Sequence, residues 1–190
     1  KEGFEKVGKP AEVEQKYDGF RIQCHKSGNK VILYTRRLEN VTNQFPDVVS
    51  YVKSNVEGDS FIIDSEAIGF SPKTKKCLPF QKISQRIRRK FQIERMVKEF
   101  PVEVNVFDVM SYNGKSLLKE PLKERRKLLE KVVREQKRKI VLAKKIVTSD
   151  PKEAEKFFQE SLKEGNEGII MKKLDSVYKP GARAGNWIKY

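Results

Sequence analysis

A short stretch near the amino terminus carries charged side chains at the alternating spacing of a β-strand. If this stretch is extended, Glu14, Lys16 and Asp18 project from one face, and Gly19 relaxes the backbone beside them. A lysine held between carboxylates in this way can act as a nucleophile. The same pattern is also typical of the charged outer face of a surface strand. Residues elsewhere in the chain are therefore needed to distinguish a reactive site from a surface strand.

The scarcity of histidine and cysteine narrows the chemistry that such a site can perform. His25 is the only histidine, so a Ser-His-Asp triad or a multi-histidine metal site has little to be built from. Cys24 and Cys77 are too few and too poorly spaced for a disulfide framework or a zinc site. We interpret them as reduced thiols of an intracellular protein. Lysine and carboxylate chemistry remains.

Six separated stretches carry residues suited to that chemistry, and their order along the chain is more informative than any one of them. They are Lys-Tyr-Asp-Gly-Phe-Arg at 16–21, Tyr-Thr-Arg-Arg-Leu-Glu at 34–39, Asp-Ser-Glu-Ala at 64–67, Val-Phe-Asp-Val at 106–109, Glu-Gly-Ile-Ile-Met-Lys at 167–172 and Trp-Ile-Lys at 187–189. K-x-D-G alone is a weak signal. K-x-D-G-x-R followed by five partners in the right order is hard to obtain by chance.

This ordered set closely resembles the adenylation domain of ATP-dependent DNA ligases, and the flanking sequence is most similar to the archaeal and eukaryotic replicative kind. The resemblance implies that Lys16 attacks the α-phosphate of ATP, pyrophosphate leaves, and AMP is held through a phosphorus–nitrogen bond. AMP then passes to the 5′-phosphate at a nick in double-stranded DNA, and the adjacent 3′-hydroxyl seals the strand.

The resemblance also assigns roles to the other motif residues. Glu14 would recognise the adenine and Glu66 the ribose hydroxyls. Phe107 would stack on the purine, as an aromatic ring can on any base, although a plain core position is the alternative. Glu39 is a weaker polar candidate nearby, and Glu167 would assist a Mg²⁺ ion. The cationic side chains that would surround the ribose and phosphates are Arg21, Arg36, Lys172, Arg183 and Lys189.

Lys16 has to lose its proton before it can attack. Glu14 and Asp18 on the same face favour the charged ammonium, so something must oppose them. The surrounding lysines and arginines, together with Mg²⁺, supply positive potential that favours the neutral amine, and partial burial acts in the same direction. The Mg²⁺ would also neutralise the pyrophosphate leaving group.

Two other classes of function stay open. RNA ligases and mRNA-capping guanylyltransferases share K-x-D-G and the overall order of motifs. A non-catalytic nucleic-acid-binding module is suggested by the formal charge of +15 and by the arginine-rich stretch 86–95. That stretch is more typical of a solvated helix face than of a phosphate contact. General basicity does not explain Glu14, Glu66 and Glu167 at their spacings.

Hydrophobic patterning predicts the elements that have to position these residues. The predicted strands cover 11–16, 20–26, 30–35, 61–70, 102–110, 140–147, 168–173 and 186–190, and the first three form an antiparallel meander. The predicted helices cover 46 to about 57, 79–100, 122–136 and 151–163. Residues 1–10 show no periodic apolar pattern, so we interpret them as a tail or a cut end.

The length of 190 residues and this order of elements predict one α+β domain, with two packed antiparallel sheets and helices outside. The resemblance implies the ATP-grasp-like nucleotidyltransferase architecture, with the nucleotide between the sheets. We expect residues 1–190 to be the adenylation domain of a larger ligase, without its N-terminal DNA-binding and C-terminal oligonucleotide-binding domains. Such a piece would hold AMP or ATP but seal nicks poorly, and a sliding clamp would be a partner of the missing domains.

Charge and hydropathy set the expected partners and location. The chain has 41 Lys plus Arg against 26 Asp plus Glu, which favours a polyanionic partner, although the lysines are spread over the whole length. No apolar run approaches the roughly 20 residues that cross a bilayer, and no signal peptide is evident. We therefore expect an intracellular protein. The resemblance implies a monomer, in the cytoplasm, nucleoid or nucleus, that acts in DNA replication, repair and recombination, and it implies an archaeal source. Abundant Lys, Glu and Arg favour a thermophile.

Overall fold

The computed structural model describes residues 1–179 and 187–190, and this part of the chain forms helices around two β-sheets. The helices are Glu2–Val7 (α1), Pro46–Asn55 (α2), Phe80–Ile83 (α3), Ile93–Glu99 (α4), Leu122–Val132 (α5) and Pro151–Lys163 (α6). The strands are Ala11–Lys16 (β1), Phe20–Ser27 (β2), Lys30–Thr35 (β3), Ser60–Gly69 (β4), Val102–Tyr112 (β5), Lys115–Ser116 (β6), Ile140–Leu142 (β7), Lys145–Thr148 (β8), Gly168–Lys173 (β9) and Trp187–Lys189 (β10).

The predicted α+β class with two sheets is confirmed. One sheet has the strand order β10-β9-β1-β8, and the other has the order β3-β2-β4-β5-β6. Among the strands of the described residues, only β7 departs from antiparallel pairing, because it runs parallel to β5 at Val104↔Ile140. Parallel neighbours need a crossover connection, and α5 lies in the chain between these two strands.

The predicted antiparallel meander of the first three strands is wrong, because β1 belongs to the four-stranded sheet and β2 and β3 to the other. The chain crosses between the sheets through Tyr17, Asp18 and Gly19. A side chain at Gly19 would collide with the carbonyl oxygen of Ala67 in β4. Period-two alternation shows that a segment is a strand but carries no signal for the sheet it joins.

The predicted strand 140–147 is two strands that lie in different sheets. β7 pairs with β5, whereas β8 pairs with β1. Ala143 lies at the crossing, where its N–H donates to the carbonyl of Val106 and its own carbonyl accepts from Arg126. An uninterrupted apolar run gives no indication of such a change of sheet.

The predicted continuous helix over 79–100 is also wrong. After α3 the chain makes a single 3₁₀ turn, Ser84–Arg86, and α4 begins only after Gln92, whose φ is 55°. Arg86 is completely buried instead of solvated, and it donates to both carboxylate oxygens of Asp47 at 3.0 and 2.7 Å. Its guanidinium also lies over the ring of Phe45.

The helix boundaries agree with the sequence prediction at α6 and differ from it at α5 and α1. The Asp150 side chain accepts from the N–H of Lys152 and caps α6, as its sequence predicts. α5 ends at Val132 rather than at residue 136, because Val133 forms a bridge with Val56. Residues 1–10 are not a tail: Phe4 and Val7 of α1 are buried. Six residues are too few to show a helical period.

The two sheets pack their apolar faces outward against helices, each in its own hydrophobic cluster. One cluster joins β1 and β9 to α1 and α6, and the larger one joins the other sheet to α2 and α5. Because side chains alternate along a strand, the remaining faces carry Glu12, Glu14 and Lys16 on β1, and Asp64 and Glu66 on β4. The sheets therefore enclose a polar cleft. Among the described residues, no helix combines the length and apolar character needed to cross a bilayer.

The buried Arg86–Asp47 pair gives a stability prediction. Asp47→Ala leaves the guanidinium buried without a carboxylate, and we expect it to lower the free energy of unfolding by about 3–5 kcal/mol. The matched control is Glu99→Ala, which removes the partner of Arg95 in an ion pair of 2.7 Å whose side chains are 46% and 63% exposed. It should cost far less, because exposed ion pairs are solvated and contribute little to stability. Urea unfolding measures both, and equal losses would contradict the assignment.

Candidate active site

Lys16 is the last residue of β1, and its amine lies at the mouth of the polar cleft. Its backbone is fixed by register with Gly168, and its carbonyl accepts from the N–H of Glu167 at 2.8 Å. Its Nζ lies 2.8 Å from the Glu167 carboxylate, and the two side chains are 31% and 45% exposed. The predicted nucleophile and the predicted metal ligand are thus in direct contact.

A buried ion pair lies deeper in the cleft, between the neighbouring strands β1 and β9. Lys172 Nζ donates to the two Glu14 carboxylate oxygens at 2.9 and 3.0 Å. Burial by itself would raise the pKa of Glu14, but the Lys172 ammonium, a hydrogen bond with Glu12 and the charge of Arg126 hold this pKa below its ordinary value. Glu14 is therefore an ionised acceptor.

Phe107 reaches the same place from the opposite sheet through a β-bulge. Asp64 pairs with Asp108 and Ser65 with Val106, so the register between β4 and β5 shifts at Phe107. A bulge of this kind redirects a side chain, and the ring lies with its centroid 4.8 Å from Lys172 Nζ. Phe107 is half-buried and belongs to neither hydrophobic cluster. It is placed as a wall of the cleft, not as a core residue.

Glu66 lies on the same wall as Phe107 and faces charged groups of both sheets. Its pKa is raised to about 7, first by burial and then by the negative charge of Glu167, with a smaller contribution from Asp18. Arg21 and Lys189 oppose this shift. Glu66 therefore lies close enough to interact with the carboxylates of Glu167 and Asp18 and with the cations of Arg21 and Lys189. All four of these residues belong to the sequence motifs.

The Arg21 guanidinium is fixed by hydrogen bonds to Asp64 and Tyr178. It donates to both Asp64 carboxylate oxygens at 3.0 and 2.6 Å and to the Tyr178 hydroxyl at 2.9 Å. The Tyr178 hydroxyl donates in turn to Asp64 at 3.0 Å, and burial first, then the charge of Asp64, raise the pKa of Tyr178 to about 12. Sequence reasoning missed Tyr178, which no motif marks.

Arg36 and Glu39 lie outside the inter-sheet cleft, in an adjacent open groove of about 600 Å³. This groove, which we call the arginine groove, is lined by Phe20, Arg21, Arg36, Arg37, Glu39, Phe80 and Arg88, among others. Arg21 belongs to both sites and connects them. Lys189 is exposed on β10 and pairs in register with Ile170. Arg183 lies outside the described residues.

Sequence reasoning also missed two charged residues behind the Glu14–Lys172 pair. Glu12 and Arg126 are both buried, with 4.0 Å between Glu12 Oε1 and Arg126 Nε. Glu12 follows the same alternation as Glu14 and Lys16, so extending that face by one step would have found it. Arg126 is hidden among the many cations of the basic helix α5, where no local signal separates it.

Glu167, at the mouth of the cleft, could hold a magnesium ion together with phosphate oxygens of a nucleotide. Mg²⁺ is usually bound by one or two carboxylates together with substrate phosphates. Glu66 and Glu167 interact repulsively, which a cation at Glu167 would relieve. Residues 1–179 and 187–190 contain no cluster of three or more ligating side chains. The donor set therefore suits an ion that completes its ligands with phosphate oxygens, not a site built from protein alone.

The family model described as "ATP dependent DNA ligase domain" matches residues 1–190. A DNA ligase of Nanoarchaeum equitans is 51% identical over 188 residues, which are 99% of this chain and 33% of that protein. A DNA ligase of Thermococcus onnurineus is 42% identical over 191 residues, with 100% and 33% coverage. The chain thus spans about one third of the length of these curated relatives.

Solved structures show the same fold at lower identity. The structure described as mycobacterial DNA ligase D complexed with ATP and MES matches with a TM-score of 0.70 at 24% identity, and covers 96% of this chain and 55% of that one. The Chlorella virus DNA ligase-adenylate matches with a TM-score of 0.58 at 18% identity, covering 92% and 58%. At such identities the likeness shows the fold alone.

Proposed function

This chain belongs to the family of ATP-dependent DNA ligase domains, and on that premise we propose that it is the adenylation domain of a DNA ligase. Lys16 is the nucleophile that receives AMP. The observation that carries this proposal is the position of its amine, at the mouth of a cleft lined by Glu66, Phe107 and the Glu14–Lys172 pair. A merely solvated strand face would not gather these residues from both sheets.

The nucleotide would lie between the sheets with its base inward. Phe107 offers a ring for the purine, and the ionised Glu14 accepts from the amino group of adenine. Glu66, on the wall nearer the mouth, suits the ribose hydroxyls. The phosphates would then point outward, where the role proposed for Lys189, Arg183 and Arg21 is to neutralise them. Lys172, predicted as a phosphate ligand, is instead paired with Glu14 at the base end, and Arg36 lies in the arginine groove.

The reaction at Lys16 forms a bond between Nζ and the α-phosphorus while the bond to the pyrophosphate oxygen breaks. Only the neutral amine can attack, so the 2.8 Å contact with Glu167 has to open first. Glu167 would hold a Mg²⁺ ion, which when bound would supply positive charge to the leaving pyrophosphate. Lys189 would stabilise the charge that develops on the α-phosphate oxygens.

The partner for the second half of the reaction is nicked double-stranded DNA. The arginine groove opens beside the cleft, and Arg36, Arg37 and Arg88 form no hydrogen bond or ion pair with the rest of the described chain. Unpaired guanidiniums in a groove suit the phosphates of a nucleic-acid backbone. AMP would pass from Lys16 to the 5′-phosphate, and the 3′-hydroxyl would then displace it and seal the strand.

The setting proposed for this activity follows from the family and the substrate. We propose an intracellular monomer that serves DNA replication and repair. Because the chain spans about one third of its relatives' length, we propose that it acts as one domain of a larger ligase, whose other parts add DNA contacts and a sliding clamp as partner.

Covalent nucleotide capture gives the first prediction of this proposal. Incubation with ATP should add the mass of one AMP to the intact chain, and pyrophosphate should remove it. Lys16→Arg keeps the positive charge beside Glu167 but is too weak a nucleophile at neutral pH, so it should stay unmodified. GTP should add no mass. Modification of Lys16→Arg, or modification by GTP in preference to ATP, would contradict the assignment.

The arginine groove gives a second prediction, on DNA binding. Arg88→Ala should weaken binding to nicked DNA and reduce the slope of log K against log salt by about 1, because one phosphate contact is lost. Arg95→Ala is the matched control, since Arg95 lies outside the groove and pairs with Glu99. Fluorescence anisotropy over a salt series measures both slopes. The same slope change in both variants would show that Arg88 contributes only general charge.

A further inference from the structure

The charged face of β1 continues one step deeper than Glu14, to Glu12. Glu12 is 1% exposed and lies in register between Lys172 of β9 and Val147 of β8. Its Oε2 is buried and receives no hydrogen bond within the described structure. A buried carboxylate oxygen that accepts nothing is costly, so this position needs a physical explanation.

Two neighbouring cations lie close to Glu12 but donate no hydrogen bond to it. Lys145 Nζ of β8 and Arg126 Nε of α5 lie 4.0 Å from Glu12 Oε1, beyond hydrogen-bonding distance. Arg126 uses its terminal nitrogens on the carbonyls of Val106 and Ala143, and its Nε, like Glu12 Oε2, is buried without a hydrogen-bond partner. Lys172 donates to both oxygens of Glu14. Arg126 and Lys145 thus lie at ion-pair distance from Glu12 without donating a hydrogen bond to it.

Glu14 lies two residues further along the same face of β1, and its carboxylate interacts with that of Glu12. Two adjacent buried carboxyls do not both ionise, and one of them retains a proton. Burial first, then the charge of Glu14 and a hydrogen bond with it, raise the pKa of Glu12 to about 9, against the opposing charges of Lys172 and Arg126. With the proton on Glu12, its orphaned oxygen becomes a donor and Glu14 gains a second donor beside Lys172.

We propose that Glu12 is a neutral carboxylic acid at neutral pH that donates its proton to Glu14, and so holds Glu14 as a pure acceptor at the adenine end of the cleft. This positioning role rests on the proposed function. A carboxylate that cannot donate accepts from the amino group of adenine and repels the carbonyl oxygen that guanine presents at the equivalent position. Glu12 thus contributes to the choice of purine without touching the nucleotide.

The competing arrangement is an ionised Glu12 that serves as the counter-ion of Arg126. The two differ in their response to Glu12→Gln. An amide still donates to Glu14, so it replaces a neutral acid well. If Glu12 is a counter-ion, however, the same substitution leaves the buried Arg126 guanidinium uncompensated, which is strongly destabilising.

The protonation itself is tested without any nucleotide. Carbon NMR of side-chain carboxyls in glutamate-labelled protein, titrated from pH 5 to 10, should show one buried carboxyl that is protonated at pH 7 and ionises near pH 9, and Glu12→Gln should remove that signal. Thermal unfolding of Glu12→Gln should match the wild type. A Glu12 signal that is ionised throughout, or a marked loss of stability in Glu12→Gln, would overturn the proposal in favour of the counter-ion.

The positioning role is tested by equilibrium binding of ATP and GTP. Glu12→Gln should keep the wild-type preference for ATP, whereas Glu12→Leu, which has no donor, should lose about tenfold in ATP affinity, the worth of one hydrogen bond to a charged group. Above pH 9 the wild type should weaken relative to Glu12→Gln, a change that a structural role would not produce. Equal ATP affinity in all three proteins would overturn the positioning role. A wild type that binds no ATP but keeps the protonated Glu12 would instead overturn the proposed function.

Discussion

The buried ion pair between Glu14 and Lys172 is the constraint on which the arrangement of the site depends. It joins β1 to β9 and lies under the ring of Phe107, so it connects the inner faces of both sheets. Each sheet has its apolar cluster on its outer face, and the inner faces meet through charges. Such a pair is weak evidence for stability, but loss of either partner leaves an uncompensated buried charge. Neither partner can be lost without cost, so the pair holds both side chains in place at the inner end of the cleft.

The chain passes from one sheet to the other after β1 and again after β7, and these two crossings position the reactive amine. Tyr17, Asp18 and Gly19 carry the chain from the end of β1 to the start of β2, so Lys16 and Arg21 lie at the ends of interior strands of the two sheets. Tyr17 also ties the crossing to the rest of the fold, because its hydroxyl accepts from the N–H of Lys144 at the second crossing. The amine is thereby presented at a mouth that both sheets share.

The sequence predicts the elements well where the signal is local, and poorly where it is not. β1, β3, β9 and α6 follow from alternation, turn residues and a cap, and motif order brings together Lys16, Glu66 and Glu167. The sheet that each strand joins depends on distant partners, so the change of sheet after β1 and after β7 carried no signal. Arg86 was missed because charge predicts exposure, whereas its burial depends on Asp47 in a distant part of the chain. Glu12 was missed because it lies one step beyond the motif residues on the charged face of β1.

The most direct measurement of the central claim is a crystal structure of the chain after incubation with ATP. The account predicts continuous electron density from Lys16 Nζ to the phosphorus of AMP, with the contact to Glu167 opened and the purine packed on Phe107 between the sheets. A nucleotide bound only in the arginine groove, with Lys16 still paired to Glu167, would contradict it.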